Sequence, residues 1–198
     1  MATSATVDRS EFRHVLLSGT IVGVVTAVVV ILYLVISRLL PPGIITSVLQ
    51  TIIVLAGGVA AAFLPGFFAG SRTVQGVASA AAIGLWGTIV FMAIDIILLR
   101  PFKAYPWTWD AIGGGSTWWY LPIWWMLGTF LAWMGGIVTA ASGEATLARR
   151  ALPAVAGTII VTAIVRLAGV PVAFPVVTGA AFTLVLAALA LVALARKG

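Results

Sequence analysis

The chain has 198 residues, of which 62% are hydrophobic and only 8% are charged. A soluble domain carries roughly 25% charged residues because its surface faces water, so this composition predicts a surface that faces lipid. The net charge of +6 comes from basic residues scattered among segment ends rather than gathered into a nucleic-acid-binding stripe, and the lack of cysteine excludes disulfides, thiol catalysis and cysteine-held metal clusters.

Six apolar segments meet or approach the length needed to cross a bilayer, which is roughly 20 helical residues. Turn-forming residues separate them, as at Pro41–Pro42, Pro65 and Gly169. We therefore predict an all-α integral membrane bundle of about six transmembrane helices, forming one domain over 1–198. The predicted helices cover residues 15–36, 44–64, 74–99, 118–141, 151–167 and 172–194.

The first segment is predicted to stay in the mature protein. A signal-peptide core has about 7–15 apolar residues, whereas this segment has about 22. Residues 1–14 then form a polar N-terminal arm. Lys and Arg concentrate on the cytoplasmic side of membrane proteins. In the six-helix topology, seven Lys and Arg residues lie on the side of the N-terminus and four lie on the other side, which favours cytoplasmic N- and C-termini in a cell membrane. The seven are Arg9, Arg13, Arg72, Arg149, Arg150, Arg196 and Lys197.

Small residues recur at intervals of four in three segments. They allow helix backbones to approach closely, which helix association in lipid requires because the hydrophobic effect contributes little there. In the first and third segments an Ala/Gly-rich chain could produce the spacing by chance, whereas the fourth has four small residues in register. The partner of that face, inside this chain or in another protein, stays open. The positions are Gly19, Gly23 and Ala27, then Gly76, Ala80 and Gly84, then Gly128, Ala132, Gly136 and Ala140.

Seven of the eight tryptophans lie between Trp107 and Trp133. They fall in residues 100–117, predicted to be a Trp/Gly-rich extracytoplasmic loop, and in the helix that follows. An aromatic belt at the membrane interface is one interpretation. A surface that docks a partner protein is another, and a site for a lipid, a quinone or a carotenoid is a third. The surface comprises Trp107, Trp109, Trp118, Trp119, Tyr120, Trp124, Trp125 and Trp133.

Asp95 is the acidic residue predicted to lie at membrane depth. Intramembrane charges pair with one another or face a cavity, and Arg166 is predicted to lie at a similar depth. We therefore predict an interhelical ion pair between Asp95 and Arg166. An ion or proton site at Asp95, and simple extension of its side chain to water, are the alternatives.

The chain lacks the residue patterns of common enzyme chemistries. His14 is the only histidine, so a Ser–His–acid triad within the membrane, bis-His haem ligation and a His-based zinc site are excluded. No phosphate-binding loop motif and no closely spaced carboxylate pair occurs. We therefore expect no catalysis, no cofactor and no metal.

Two functional hypotheses follow. One is a structural or accessory subunit of a larger membrane complex, with lipid and other membrane subunits as partners and no nucleic acid. The other is a small transporter, channel or membrane substrate-binding subunit. A permeation path needs convergent polar groups, and this chain offers few besides Asp95, Gln50 and Gln75. Since glutamines commonly hydrogen-bond between helices, the subunit hypothesis is favoured.

Overall fold

The architecture is that of a computed structural model, which describes residues 4–99, 120–143 and 145–196. This part of the chain is helical and contains no strand, and six of its helices are long and apolar enough to cross a membrane. Five residues at the end of the third helix, Asp95–Leu99, continue it with π-helical geometry. The helices are α1 Ser4–Leu39, α2 Ile44–Phe68, α3 Val74–Ile94, α4 Tyr120–Ala141, α5 Leu147–Leu167 and α6 Phe174–Ala195.

Helix α2 does not end at Pro65, where the sequence predicts its end. Proline removes one backbone donor, and membrane helices tolerate this loss. The helix continues to Phe68, and the amide of Ala69 donates to Pro65 O over 2.9 Å. The chain then turns at Gly70, whose φ of 56° lies in the left-handed region that favours glycine.

Helix α2 lies at the centre of the bundle and packs against all five other helices. Helix α3 lies between α1 and α4, while α5 and α6 form a hairpin that docks mainly through α6 onto α2 and α4. We call the end of the bundle at which α1 begins the near side, and the end at which α1 finishes the far side. The predicted break between the last two helices lies at Gly169, with φ 75°.

Close backbone approach fixes α4 between α2 and α3. A Cβ on Gly135 would clash with the backbone of Ala62 in α2, and one on Gly128 would clash with the Thr88 side chain in α3. A Cβ on Gly84 would meet the Ala132 side chain in the same way. Gly135 was not among the predicted packing positions, because it lies beside the four-residue register rather than in it.

A second close approach joins α1 to α3. A Cβ on Gly19 would lie 2.7 Å from Trp86 Cδ1, and one on Gly23 would lie 2.6 Å from Gly87 O. Ala27, one turn further along α1, is 3% exposed and packs with buried residues of α3. The structure therefore places the small residues of α1 on the face toward α3.

Two predicted packing positions have other neighbours. A Cβ on Gly76 would meet the preceding turn, at 3.0 Å from Ser71 Cα, so this glycine lets the α2–α3 turn fold against its own helix. Ala140 is half-buried and lines a surface groove. By contrast Gly136 does face α3, since its Cβ would lie 3.2 Å from Ala80 Cβ.

Replacing Gly135 with alanine tests the α2–α4 contact. We expect Gly135→Ala to lower the free energy of unfolding by about 1–3 kcal/mol, because the backbone of Ala62 cannot yield as a side chain can. Gly179→Ala is the matched control, since its Cβ would make only an ordinary 3.6 Å contact with Val54 Cγ1. Thermal unfolding in mild detergent measures both variants, and an equal loss in both would contradict the packing described.

Candidate functional site

The structure describes only part of the predicted tryptophan surface. Trp107, Trp109, Trp118 and Trp119 lie outside the described residues, as does the side chain of Tyr120. The three remaining tryptophans of the surface lie on α4, and they do not share one face. Trp124, Trp125 and Trp133 must therefore be considered separately.

Trp124 points into the bundle. It is half-buried, and its ring packs edge-on against Phe91 of α3, with 5.9 Å between ring centroids and 68° between ring planes. Edge-to-face aromatic pairs of this kind contribute about 0.5–1.5 kcal/mol beyond the area they bury. Trp124 therefore joins α4 to α3 near the far side rather than presenting itself to a partner.

Trp125 and Trp133 face outward on α4, with 40% and 49% of their surface exposed. Eight residues separate them, which places them on one helix face about 12 Å apart. Between them runs a groove of about 660 Å³, which we call the aromatic groove. Its lining includes Leu85, Ile123, Trp125, Met126, Phe130 and Trp133.

Asp95 faces the interior of the bundle and is 3% exposed. It follows Thr88 by seven residues and Gly84 by eleven, so all three lie on the buried face of α3. It also begins the π-helical turn that ends α3, and such turns occur frequently at functional sites. Asp95 has a polar partner in the structure, which fits a carboxylate placed within a membrane-spanning helix.

A small cavity of about 70 Å³ lies on the same face of α3, between α1, α2, α3 and α4. Thr26 and Thr88 supply hydroxyls to its lining, and the Phe91–Trp124 pair lies on the far side of Thr88. Each hydroxyl donates to a carbonyl of its own helix over 2.9 Å, Thr26 to Val22 O and Thr88 to Gly84 O. The cavity volume is large enough for a few water molecules. The two threonine hydroxyls already donate their protons to backbone carbonyls, so they do not donate to such waters.

The structure does not bring Arg166 to Asp95. The Arg166 guanidinium donates to Val172 O over 3.0 Å and lies 4.4 Å above the centre of the Phe174 ring. Helix α5 packs against α6 and α2, so its far end lies beside the α5–α6 connection instead of α3. A backbone carbonyl and an aromatic face thus take the place that the sequence assigned to a carboxylate.

Polar side chains form hydrogen bonds between helices whose partners the sequence did not predict. The partly buried Gln50 of α2 donates to Ser37 Oγ of α1 over 2.9 Å, which is the interhelical use expected of a glutamine in a membrane helix. Gln75 is exposed in the first turn of α3. Trp86 Nε1 donates to Thr20 Oγ1 over 3.1 Å and ties α3 to α1. This bond could have been anticipated only from knowledge that the two helices pack together.

Metal binding and similarity to known proteins give no further guide to function. Within the described ranges, no three His, Asp or Glu side chains come close enough to hold a metal ion. Comparison with protein families, with curated proteins and with solved structures finds no match to this chain. Its function has to be inferred from the geometry of its own residues.

A double-mutant cycle tests the separation of the two charges. We expect the effects of Asp95→Asn and Arg166→Gln on the free energy of unfolding to add to within about 0.5 kcal/mol, because the Arg166 guanidinium contacts Val172 O and the Phe174 ring instead of Asp95. The cycle is measured by chemical or thermal unfolding in detergent. A coupling free energy of about 1 kcal/mol or more between the two substitutions would instead support the direct ion pair predicted from the sequence.

Proposed function

We propose that this chain is a non-enzymatic multi-pass membrane protein that serves as a structural or accessory subunit of a larger membrane complex. The observation that carries the proposal is the aromatic groove on the outward face of α4, with Trp125 and Trp133 exposed along it. The occupant that best fits this groove is a transmembrane helix of a partner subunit.

The large aromatic side chains along this shallow groove support docking more than its hydrophobicity does. Lipid tails are as apolar as a partner helix, so association in a membrane depends on close packing and polar contacts. A groove of about 660 Å³ offers that packing to a helix laid along α4. Exposed tryptophans add large, rigid contact surfaces of the kind that dominate binding energy at protein interfaces. A quinone, a carotenoid or a lipid is the alternative occupant.

The difference between the inner and outer faces of α4 also supports the proposal. Its inner face already packs on α2 and α3 through Gly135 and Gly128. The face that carries Trp133 leaves this side chain half exposed. A partner helix would complete the packing of α4 without disturbing the bundle.

The near side is proposed to be cytoplasmic, in a cell membrane. The described arginines are more numerous there, which matches the enrichment of basic residues on the cytoplasmic side. Residues 100–117 are then proposed to form an extracytoplasmic loop. The near side carries Arg13, Arg72, Arg149, Arg150 and Arg196, and the far side carries Arg38 and Arg166.

A small transporter or substrate-binding subunit is the second candidate, and one observation favours it. Asp95 is buried on the same face of α3 as the cavity that Thr88 lines. The cavity volume of about 70 Å³ and the internally bonded hydroxyls weigh against a wide aqueous path. Solute or proton flux in proteoliposomes that Asp95→Asn abolishes, with the fold retained, would support this candidate over the subunit.

Removal of the exposed indoles tests the subunit function. We expect the double variant Trp125→Ala/Trp133→Ala to lose a stoichiometric partner that co-purifies with the wild type in mild detergent, because each indole contributes about 1–2 kcal/mol or more at a packed interface. Quantitative mass spectrometry measures the partner, and photo-cross-linking from position 126 locates it.

The matched control is Ile160→Ala/Ile164→Ala, which truncates two side chains of α5 that are each 59% exposed. The control variant should retain the partner in full. Equal loss in both variants, or a wild-type protein that purifies alone with a small lipophilic molecule, would contradict the subunit function.

A further inference from the structure

The cavity beside Thr88 lies at the meeting point of α1, α2, α3 and α4. Residues of all four helices line it, among them Thr26 of α1, Ala61 of α2 and Thr88 of α3. Its volume is about 70 Å³, and a molecule in liquid water takes up about 30 Å³, so the cavity has room for about two water molecules. We call it the central cavity.

A backbone carbonyl of α2 loses its usual donor beside the central cavity. In an α-helix the carbonyl of one residue accepts a hydrogen bond from the amide four residues later. For Ala61 that later residue is Pro65, which lies inside α2 and has no amide proton. In membrane helices, carbonyls freed by a proline are satisfied by neighbouring side chains or by ordered water. Since Ala61 lines the central cavity, water there can supply the missing donor.

Thr26 and Thr88 add two more hydrogen-bond acceptors to the central cavity. Each hydroxyl donates its proton to a carbonyl of its own helix over 2.9 Å. A hydroxyl oxygen that donates in this way keeps lone pairs that accept hydrogen bonds from other groups. Acceptors thus come from α1, α2 and α3, so a molecule bound between them has to donate hydrogen bonds.

We propose that the central cavity binds about two water molecules, which link α1, α2 and α3 by hydrogen bonds. The first water donates to Ala61 O and to Thr88 Oγ1. The second water donates to the first and to Thr26 Oγ1. Each water then has the polar partners that a buried water requires. The site goes beyond the proposed function, because it lies between the helices of this chain and requires nothing to dock in the aromatic groove.

The size and chemistry of the central cavity select water over other occupants. A lipid or another lipophilic molecule is too large for about 70 Å³. A metal cation would be surrounded by neutral acceptors and apolar side chains, at a high cost in desolvation. An apolar gas would fit, but it would leave the carbonyl of Ala61 without a donor. Water is small, neutral and able to donate two hydrogen bonds.

Crystals of the whole protein, with and without xenon under pressure, give the direct test. We expect density for water within hydrogen-bonding distance of Ala61 O and of the hydroxyl oxygens of Thr26 and Thr88, and no xenon in its place. Dry apolar cavities bind xenon. Xenon in the central cavity, or a high-resolution map without water density there, would overturn the proposal.

Unfolding in mild detergent gives a test in solution. Thr26→Val and Thr88→Val should each raise the equilibrium constant of unfolding about fivefold, because each removes a hydroxyl that bonds to the waters. In the double variant the increase should fall short of the product of the two factors, because the second substitution acts on waters that the first has already disturbed.

Thr183→Val is the matched control. Thr183 donates to Gly179 O over 2.9 Å, as the cavity threonines do to their own helices, but it does not line the central cavity. Its factor should therefore multiply with that of Thr88→Val. If the factors of Thr26→Val and Thr88→Val multiply in the same way, the shared waters are ruled out.

Discussion

The structure depends on the close approach of α4 to the backbones of α2 and α3. In lipid there is no hydrophobic gain from bringing helices together, so contact must come from packing at short range. Gly135 against Ala62 and Gly128 against Thr88 provide it on two sides of one helix. Helix α2 in turn contacts every other helix, so the position of α4 is coupled to the whole bundle.

The same constraint determines which surfaces remain for binding. Helix α4 uses glycines toward α2 and α3 and turns Trp124 inward, whereas Trp125 and Trp133 lie on its outer face and line the aromatic groove. A second groove of about 420 Å³, which Trp133 also lines, continues this face to the near side. The outer surface of α4 therefore carries the exposed indoles, while hydroxyls such as that of Thr88 are bonded within their own helices.

The sequence predicts the helices better than their contacts. The length of the apolar segments and the turn residues between them locate all six helices. The predicted end at Pro65 is wrong because a proline removes one backbone hydrogen-bond donor without ending the helix. Side-chain partners depend on which helices are neighbours, and one sequence does not contain this information. Asp95 and Arg166 were paired on depth alone, whereas α5 packs beside α6 and α2. Gly135 was missed for a similar reason, since only the position of α2 shows that α4 is contacted on two faces.

A disulfide cross-link between α2 and α4 tests this account most directly. The chain has no cysteine, and a Cβ on Gly66 would lie 3.5 Å from Thr139 Cβ, within the range of about 3.5–4.5 Å that a disulfide spans. We expect Gly66→Cys/Thr139→Cys to form an intramolecular cross-link in native membranes under mild oxidation, and Gly66→Cys/Ile160→Cys to form none. Failure of the first pair to cross-link, or cross-linking only between two chains, would contradict the close packing of α4 on α2.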